Sequence, residues 1–327
     1  MSINWPRFVE VVRSHSRFLL VSHVRPDCDA LGSELGMAAL LESLGKQVRI
    51  VNGQATPPNL AFIDPAEKIR AIGVDAAAEE LADVEVIMIL DTSAWAQLGP
   101  MGDVIRASRA KKIVLDHHVS QDDLGAENFK DTTAEATGRL VYEAAKHLGV
   151  EIKQDAATPL FAAVATDTGW FRFGSTNPGT LRCAASLVEA GASPPKIYGH
   201  LYEQMTIGRL LLIGRTLAAV KHELDGRLAY TRILREDFAA TGALPSDTED
   251  VINMLLQVAG TEVAVIFVEQ SSGAFKISFR SRCPVDCSKL AESFSGGGHK
   301  AAAGATVDGP YEAASARVLD AVKAAMR

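Results

Sequence analysis

The sequence is short of cysteine, of positive charge and of long apolar runs, and each shortage excludes a class of protein. The four cysteines, at positions 28, 183, 283 and 287, form neither a regular disulfide framework nor a C-x-x-C pair, so we expect reduced thiols. A formal net charge of -7 argues against a protein that coats long nucleic acid, because such binding depends on neutralising phosphates with Lys and Arg. No apolar run approaches the roughly 20 residues that a transmembrane helix needs.

What is present is ordinary globular composition, with 47% hydrophobic and 22% charged residues in a chain of 327. This length predicts two domains. The first residues lack a basic stretch followed by an apolar core and a small-residue cleavage site. The sequence therefore predicts no secretory signal and a cytoplasmic location.

From about residue 18 to 170 the pattern alternates between apolar strand, turn and helix. This alternation predicts an α/β fold with a doubly wound, mostly parallel sheet and helices on both faces. Candidate strands are 18–23, 47–52, 84–90 and 112–116, and candidate helices are 32–44, 133–148, 155–166 and 178–190.

The last third of the chain predicts a second, smaller α/β domain. Residues 195–224 are rich in Leu and Ile with little turn chemistry, which predicts a helical bridge between the domains. We therefore place the first domain at 1–194, the linker at 195–224 and the second domain at 225–327. In the second domain, candidate strands are 226–234, 262–268 and 275–280, and candidate helices are 247–258, 286–294 and 311–326.

Aspartates and histidines recur where apolar, strand-like runs end. Ligands in an open α/β sheet bind beyond the carboxyl ends of the strands, so we expect these side chains to meet in one crevice. Converging carboxylates repel unless cations join them. Two divalent ions, most simply Mn²⁺ given the mixed carboxylate and imidazole donors, would balance the four aspartates proposed as ligands, and two-metal sites are typical of enzymes that hydrolyse phosphate esters. The candidates are His23, Asp27 and Asp29 after 18–22, Asp91 after 86–90, Asp116, His117 and His118 after 113–115, and Asp167 after 161–166.

Each of these elements also has a plainer explanation. Asp27 and Asp29 are of a type that forms turns and caps helices, and Asp91 is a common residue at the end of a buried strand. Either histidine of 117–118 is also compatible with a satisfied core position. Because adjacent histidines at a strand end point in different directions, one can bind a metal while the other faces substrate, and Asp116 can orient a ring. Without a metal site, every one of these plainer explanations would have to be correct at the same time. That combination is improbable, so the sequence favours a metal site.

A second candidate site lies in the glycine-rich segment 296–304. The turn formed by Gly296, Gly297 and Gly298 lets backbone N–H groups approach an anion, and His299 adds a donor at its edge. Lys276, Arg280 and Arg282 stand at even spacing, so we expect all three on one face of a strand. The plainer explanation is a solvated strand edge beside a flexible turn.

These motifs, in order along the chain, resemble the DHH phosphoesterase superfamily with a DHH-associated C-terminal domain. Within that superfamily they are most similar to the bacterial nanoRNases, which are bifunctional oligoribonuclease and PAP phosphatase proteins. One departure is Ser295, where the family often has a fourth glycine. The motifs are His23-x-x-Pro-Asp27-x-Asp29-Ala-x-Gly-Ser, Leu90-Asp91-Thr, Asp116-His117-His118, Asp167-Thr-Gly and Gly-Gly-Gly-His-x-x-Ala-Ala-Gly.

The resemblance implies a role for each candidate residue. It implies that Asp91 bridges two ions, one also held by His23 and Asp27, and that His118 contacts the scissile phosphate. It implies that the second domain grips the terminal phosphate or nucleotide of the substrate. The remaining ligands of the second ion would be Asp29, His117 and Asp167, and the gripping residues would be Arg280, Gly296, Gly297, Gly298 and His299.

The implied function is hydrolysis of short RNA oligonucleotides or linear dinucleotides to mononucleotides, and of adenosine 3′,5′-bisphosphate to AMP. We expect no long nucleic acid and no membrane as partners, and a homodimer is left open. The alternatives are a cyclic dinucleotide phosphodiesterase, a manganese inorganic pyrophosphatase and a non-catalytic nucleotide sensor. The Gly-Gly-Gly-His turn disfavours the pyrophosphatase, and a sensor would be expected to have lost at least one ligand.

Overall fold

The computed structural model describes residues 3–327, which divide after Gln204 into two compact units. The first unit is a parallel sheet covered by helices on both faces. Its strands are β1 Arg17–Val21, β2 Gln47–Asn52, β3 Ile69–Ala71, β4 Val86–Leu90, β5 Lys111–Asp116 and β6 Glu127–Lys130. Its α-helices are α1 Trp5–Ser14, α2 Cys28–Ser43, α3 Met101–Ala107, α4 Thr137–Leu148, α5 Gln154–Asp167, α6 Pro178–Glu189 and α7 Pro194–Tyr202.

The sheet of the first unit has the strand order β3-β2-β1-β4-β5-β6, and every neighbouring pair is parallel. The predicted doubly wound α/β fold is thereby confirmed. All five residues of β4 are buried, as expected for a central strand covered on both faces. The chain runs outward from β1 to β3 and then returns to β4, so the strand order reverses between β1 and β4. In sheets of this kind, ligands bind at the carboxyl ends beside that reversal.

Helices α2 and α5 pack against each other with almost no side chain between them. A Cβ atom at Gly32 would collide with the carbonyl oxygen of Pro159, and one at Gly36 would lie 2.5 Å from Cδ2 of Leu160. Both helices are buried on nearly every side, since Leu160 to Ala165 and most of α2 contact the core. The two backbones therefore approach as closely as glycine allows.

The structure differs from the sequence prediction at several elements of the first unit. Strands β3 and β6 were not predicted, and α2 begins at Cys28 rather than at residue 32. The helix predicted at 155–166 is confirmed as α5, so Asp167 ends a helix rather than following a strand as the other candidate acids do. The run before it is apolar because α5 is buried all round, and a short apolar run does not distinguish a buried helix from a buried strand.

The second unit is a mixed sheet with helices on both faces. Its strands follow the order β11-β12-β10-β9-β8-β7, with only the β8–β9 pair parallel. Its strands are β7 Lys221–Glu223, β8 Leu228–Ile233, β9 Val263–Glu269, β10 Phe275–Ser281, β11 Gly297–His299 and β12 Ala302–Val307. Its helices are α8 Ile207–Ala218, α9 Arg235–Thr241, α10 Val251–Leu256, α11 Cys287–Glu292 and α12 Tyr311–Ala325.

The bridge expected at 195–224 is not one helix but two helices followed by strand β7. Helix α7 belongs to the first unit and α8 to the second, and Thr206 caps α8 by accepting a hydrogen bond from the backbone N–H of Arg209 at 3.0 Å. All four cysteines are free. Within residues 3–327, no helix combines the length and the apolarity needed to cross a membrane.

Candidate metal centre

The loop after β1 and the first turn of α2 position three of the candidate side chains. Asp27 is the N-cap of α2, and its Oδ1 accepts hydrogen bonds from the backbone N–H groups of Asp29 and Ala30 at 3.0 and 3.1 Å. The plainer explanation of Asp27 as a helix cap is therefore correct, but its carboxylate also lies within 3.9 Å of Nε2 of His23. Asp29 is only 1% exposed. Asp27 is therefore both the N-cap of α2 and a candidate metal ligand.

The carboxylate of Asp29 lies at the N-terminus of α4, where the backbone favours negative charge. It accepts hydrogen bonds from the backbone N–H groups of Thr137 at 2.7 Å and Gly138 at 2.8 Å. A Cβ atom at position 138 would lie 2.6 Å from that of Ala163 and 3.3 Å from Oδ1 of Asp29. Glycine is thus required for α4 to approach the carboxylate.

Asp91 follows β4 in a left-handed conformation, with φ of 61°. Such a conformation is uncommon for a residue with a side chain and is found more often at functional sites. Its Oδ1 accepts a hydrogen bond from Oγ1 of Thr137 at 2.9 Å, and the residue is 2% exposed. Asp91 therefore lies at the bottom of the crevice with a fixed orientation.

His23 and His117 each direct Nε2 at the carboxylates. Nδ1 of His23 lies 3.0 Å from the carbonyl oxygen of Val24, and Nδ1 of His117 lies 3.2 Å from that of Ala134. A carbonyl oxygen only accepts, so Nδ1 carries the hydrogen and the lone pair is on Nε2. This is the orientation that histidine ligands of metals usually have.

Two groups of donors share the crevice. Nε2 of His23 lies 3.4 Å from Oδ2 of Asp91, and Nε2 of His117 lies 3.5 Å from Oδ1 of the same residue and 3.4 Å from Oδ2 of Asp167. In each of two sets the donor atoms lie within 4.8 Å of one another, which is close enough for one ion: His23, Asp27 and Asp91, and Asp29, His117 and Asp167. Asp91 contacts both sets.

His118 is held differently from His117. Its Nδ1 lies 2.9 Å from Oδ1 of Asp116, which also accepts the backbone N–H of His118 at 3.0 Å. The other oxygen of Asp116 accepts from Nζ of Lys130 at 2.9 Å and from Oγ of Ser93 at 2.8 Å. Nδ1 of His118 also lies 3.6 Å from Asp91, in a third set of possible donors with His117. Because Asp116 already binds Nδ1, the remaining nitrogen, Nε2, is the one available to a substrate.

The titration of these groups follows from their surroundings. Burial would raise the pKa of Asp116, but hydrogen bonds from His118, Lys130 and Ser93 outweigh it and hold the pKa well below its usual range. The hydrogen bond to Asp116 raises the pKa of His118, against an opposing effect of burial. Lys130 therefore balances the charge of the Asp116 carboxylate without a metal ion.

The four remaining aspartates lack such balance. Burial raises the pKa of Asp91 well above its ordinary value, and the charges of Asp29 and Asp27 raise it further. Burial and the same two charges raise the pKa of Asp167 to about 8. Across residues 3–327, no Lys or Arg nitrogen lies within 4 Å of the carboxylates of these four residues. The donor set therefore fits divalent cations, which supply the missing positive charge.

The second unit carries the other candidate residues on one face of its sheet. Arg280 and His299 both pair with Ala302, one from each side, so the two side chains flank a small residue on the same face. Lys276 and Arg280 also line a cavity of about 290 Å³ together with Glu249 and Asp250. Basic and acidic side chains therefore line this cavity together.

The glycine turn predicted at 296–298 is wrong, because Gly297 to His299 form the edge strand β11, which pairs with β12. These glycines have a structural role that the sequence did not reveal. A Cβ atom at Gly296 or Gly298 would collide with the backbone of β12, whereas Gly297 faces open space. Ser295 has φ of 58°, the left-handed conformation that glycine adopts without strain. This explains why a glycine would suit position 295. Arg282 does not join the basic face, because its guanidinium donates to the carbonyl oxygens of Thr261 and Val258.

Sequence reasoning missed the residues that hold the acids in place. Thr137 contacts both Asp29 and Asp91, and Lys130 neutralises Asp116. Lys130 ends β6, a strand whose only buried residue is Phe129, so no apolar pattern marked it. Thr137 begins a helix, and only its place at a helix N-terminus could have suggested an anion beside it.

Comparison with known proteins matches both units of the chain to known domain families. Residues 17–164 match the DHH family, N-terminal domain, and residues 225–327 match the DHHA1 domain. The chain is 32% identical over 328 aligned positions to the bifunctional oligoribonuclease and PAP phosphatase NrnA of Thermus thermophilus, covering 97% of this chain and 95% of that one. It is 27% identical over 302 positions to the protein of the same name from Bacillus subtilis, covering 91% and 92%. An exopolyphosphatase-related protein from Bacteroides fragilis superposes with a TM-score of 0.82 at 27% identity, covering 98% of this chain and 94% of that one.

Proposed function

Because this chain belongs to the DHH family and is a hydrolase of phosphoester bonds, we propose that its substrates are short oligoribonucleotides and linear dinucleotides. We further propose that it converts adenosine 3′,5′-bisphosphate to AMP. The relatives from Thermus thermophilus and Bacillus subtilis have both activities in their names. The cytoplasmic location expected from the sequence is part of this proposal.

The observation that carries the proposal is the pair of donor sets that share Asp91. We propose that His23, Asp27 and Asp91 hold one divalent ion. Mixed imidazole and carboxylate donors favour Mn²⁺ over Ca²⁺, which prefers oxygen donors alone. When bound, two such ions activate a water molecule and neutralise charge on the phosphoryl group. The ligands proposed for the second ion are Asp29, Asp91, His117 and Asp167.

The residues around the donor sets would complete the reaction. The oxygen of a water molecule bonds to phosphorus as that water loses a proton, the bond from phosphorus to the leaving oxygen breaks, and the leaving oxygen receives a proton. His118 is half-exposed, and Asp116 fixes its ring through Nδ1, so Nε2 would hold a proton toward the leaving oxygen or the phosphoryl group. Lys130 keeps Asp116 ionised, which keeps His118 in place.

We propose that the second unit binds the end of the substrate that does not react. Arg280 and His299 would bind a terminal phosphate, since both are cationic or donor side chains flanking the small Ala302. Gly297, which faces open space, would let a backbone N–H approach the same phosphate. Gly296 and Gly298 would support this surface by allowing β11 to pack on β12.

A substrate panel tests the proposal. The protein is incubated with Mn²⁺ and, separately, with pApA, a short RNA, adenosine 3′,5′-bisphosphate, cyclic di-AMP and pyrophosphate, and the products are separated by chromatography. Release of AMP from pApA is the expected result, and it should stop when EDTA removes the metal. Release of phosphate from pyrophosphate alone would contradict the proposal and favour a pyrophosphatase.

A further inference from the structure

Three Phe, Trp or Tyr side chains among residues 3–327 are exposed: Phe173, Tyr198 and Tyr202, at 53%, 39% and 48%. The ring centroid of Trp170 lies 5.1 Å from that of Tyr198 and 5.7 Å from that of Tyr202, and Phe173 follows Trp170 in the same turn. We call Trp170, Phe173, Tyr198 and Tyr202 the aromatic shelf.

The shelf is attached directly to the candidate metal centre. Trp170 and Phe173 belong to the turn that follows Asp167, the donor at the end of α5. Tyr198 and Tyr202 lie on α7, and their rings pack against Trp170. The turn therefore joins these rings to the donor Asp167, which precedes Trp170 by three residues.

The turn that carries the shelf is held in an unfavourable conformation. Gly169, Trp170 and Phe171 have consecutive φ values of 56°, 59° and 64°. Bulky side chains rarely adopt this left-handed conformation, and residues that do so cluster at functional sites. The ring of Phe173 covers Gly169 so closely that a Cβ atom at position 169 would collide with it. The fold therefore maintains strain that brings Trp170 and Phe173 to the surface beside Asp167.

The turn that carries the aromatic shelf also presents a positive charge that could pair with a phosphate. Arg172 is exposed, and its Nε donates to the carbonyl oxygen of Gly169 at 2.7 Å. A cation beside exposed rings is the arrangement used to bind bases and backbone phosphates of single strands.

We propose that the aromatic shelf binds one nucleobase of the substrate by stacking, while Arg172 pairs with an adjacent phosphate. This inference rests on the proposed function, because it assigns the rings to the same short oligonucleotide whose phosphate is cleaved. Stacking on rings is tolerant of base identity, since every base has a π-face. The shelf would therefore contribute affinity for a nucleotide unit without selecting its sequence.

The test compares steady-state kinetics of Tyr202→Leu and Tyr198→Leu with those of the wild-type protein, in Mn²⁺. The substrates are pApA and two analogues in which one or the other adenosine is replaced by an abasic ribose. Tyr202→Leu should raise KM for pApA by about 5-fold to 150-fold, as expected for loss of one base–aromatic stack, and should leave kcat near the wild-type value. Tyr202→Phe keeps the ring and is the matched control, so its KM should stay near that of the wild type.

The analogues separate stacking from general damage. The analogue that lacks the stacked base should have a high KM with the wild-type protein, and Tyr202→Leu should not raise it further. An unchanged KM of Tyr202→Leu for pApA would contradict the proposal that the aromatic shelf binds a nucleobase. An equal rise in KM for all three substrates would contradict it as well. Failure of the wild-type protein to cleave any of the three is a separate outcome, which overturns the proposed function and removes the shelf's occupant.

Discussion

Asp91→Asn tests whether one carboxylate serves both donor sets. Oδ1 of Asp91 lies 3.5 Å from Nε2 of His117, and Oδ2 lies 3.4 Å from Nε2 of His23. The substitution keeps the size of the side chain and leaves one oxygen that can accept the hydrogen bond from Thr137. It removes one of the four negative charges and half of the bridging capacity. Both ions should therefore bind more weakly.

The expected magnitude can be stated for stability as well as for activity. An ion present at 100 times its dissociation constant stabilises the folded state by about 2.7 kcal/mol. For a unit that ends at Gln204, this corresponds to a rise in Tm of roughly 5–10 °C for each ion. Asp91→Asn should lose most of the Mn²⁺-induced rise and at least about 100-fold in kcat/KM on pApA, the upper end of what a lost contact to a metal ligand costs.

Without metal the same substitution should have the opposite effect on stability. Burial and the neighbouring acids raise the pKa of Asp91, so an ionised carboxylate at this position disfavours the fold when no cation is bound. In EDTA, Asp91→Asn should be at least as stable as the wild-type protein. The measurement is thermal unfolding in EDTA and in a series of Mn²⁺ concentrations, together with the rate of AMP release.

Asp64→Asn is the matched control for Asp91→Asn. Asp64 is 7% exposed and accepts backbone N–H groups of Lys68 and Ile69 at 3.0 and 2.8 Å, but it belongs to neither donor set. Its substitution should lower Tm in EDTA and keep the full Mn²⁺-induced rise. A wild-type Mn²⁺-induced rise, or near-normal turnover, in Asp91→Asn would refute the bridging role.

Three further predictions concern other parts of the molecule. Arg280→Ala should raise KM on pApA more than it lowers kcat, and an unchanged KM would contradict the gripping role. His118→Ala should lower kcat by about 10²-fold to 10⁴-fold. It should keep the Mn²⁺-induced rise in Tm, because Asp116 rather than a metal ion binds Nδ1 of His118. Loss of that rise in Tm would show that His118 is a metal ligand. Burial raises the pKa of Glu34 to about 8, so the wild-type protein should lose stability as pH rises from about 5 through 8, by up to roughly 1.4 kcal/mol per pH unit. Glu34→Gln, whose amide oxygen can still accept from Asn52, should unfold with a smaller difference in Tm between pH 6 and pH 8, and an equal difference would show that Glu34 does not titrate there.

The sequence predicted the parallel sheet because its central strands are continuous apolar runs, such as Val86–Leu90, bounded by turns. It did not predict β3, which has three residues, or β6, in which only Phe129 is buried. Both are edge strands, where the apolar pattern is weakest. The sheet order could not be read from the sequence, since pairing depends on contacts between distant segments.

The candidate ligands could be identified because each follows an apolar run, and the structure brings them together. What the sequence left open was the difference between the two adjacent histidines. His117 and His118 are distinguished by their partners, a carbonyl oxygen of Ala134 and the carboxylate of Asp116. Ala134 lies 17 residues from His117 in the sequence, so only the folded chain reveals which nitrogen of each ring is free.

The close packing of α2 against α5 determines which ionic radii the metal centre can accommodate. Asp29 lies on α2 and Asp167 ends α5, so the distance between these donors is fixed by two backbones in contact rather than by side chains that can rotate. Even one methyl group at position 32 would push the helices apart, because it would meet the backbone of Pro159. Selectivity among ions of different radius can therefore be altered from a position that never touches an ion.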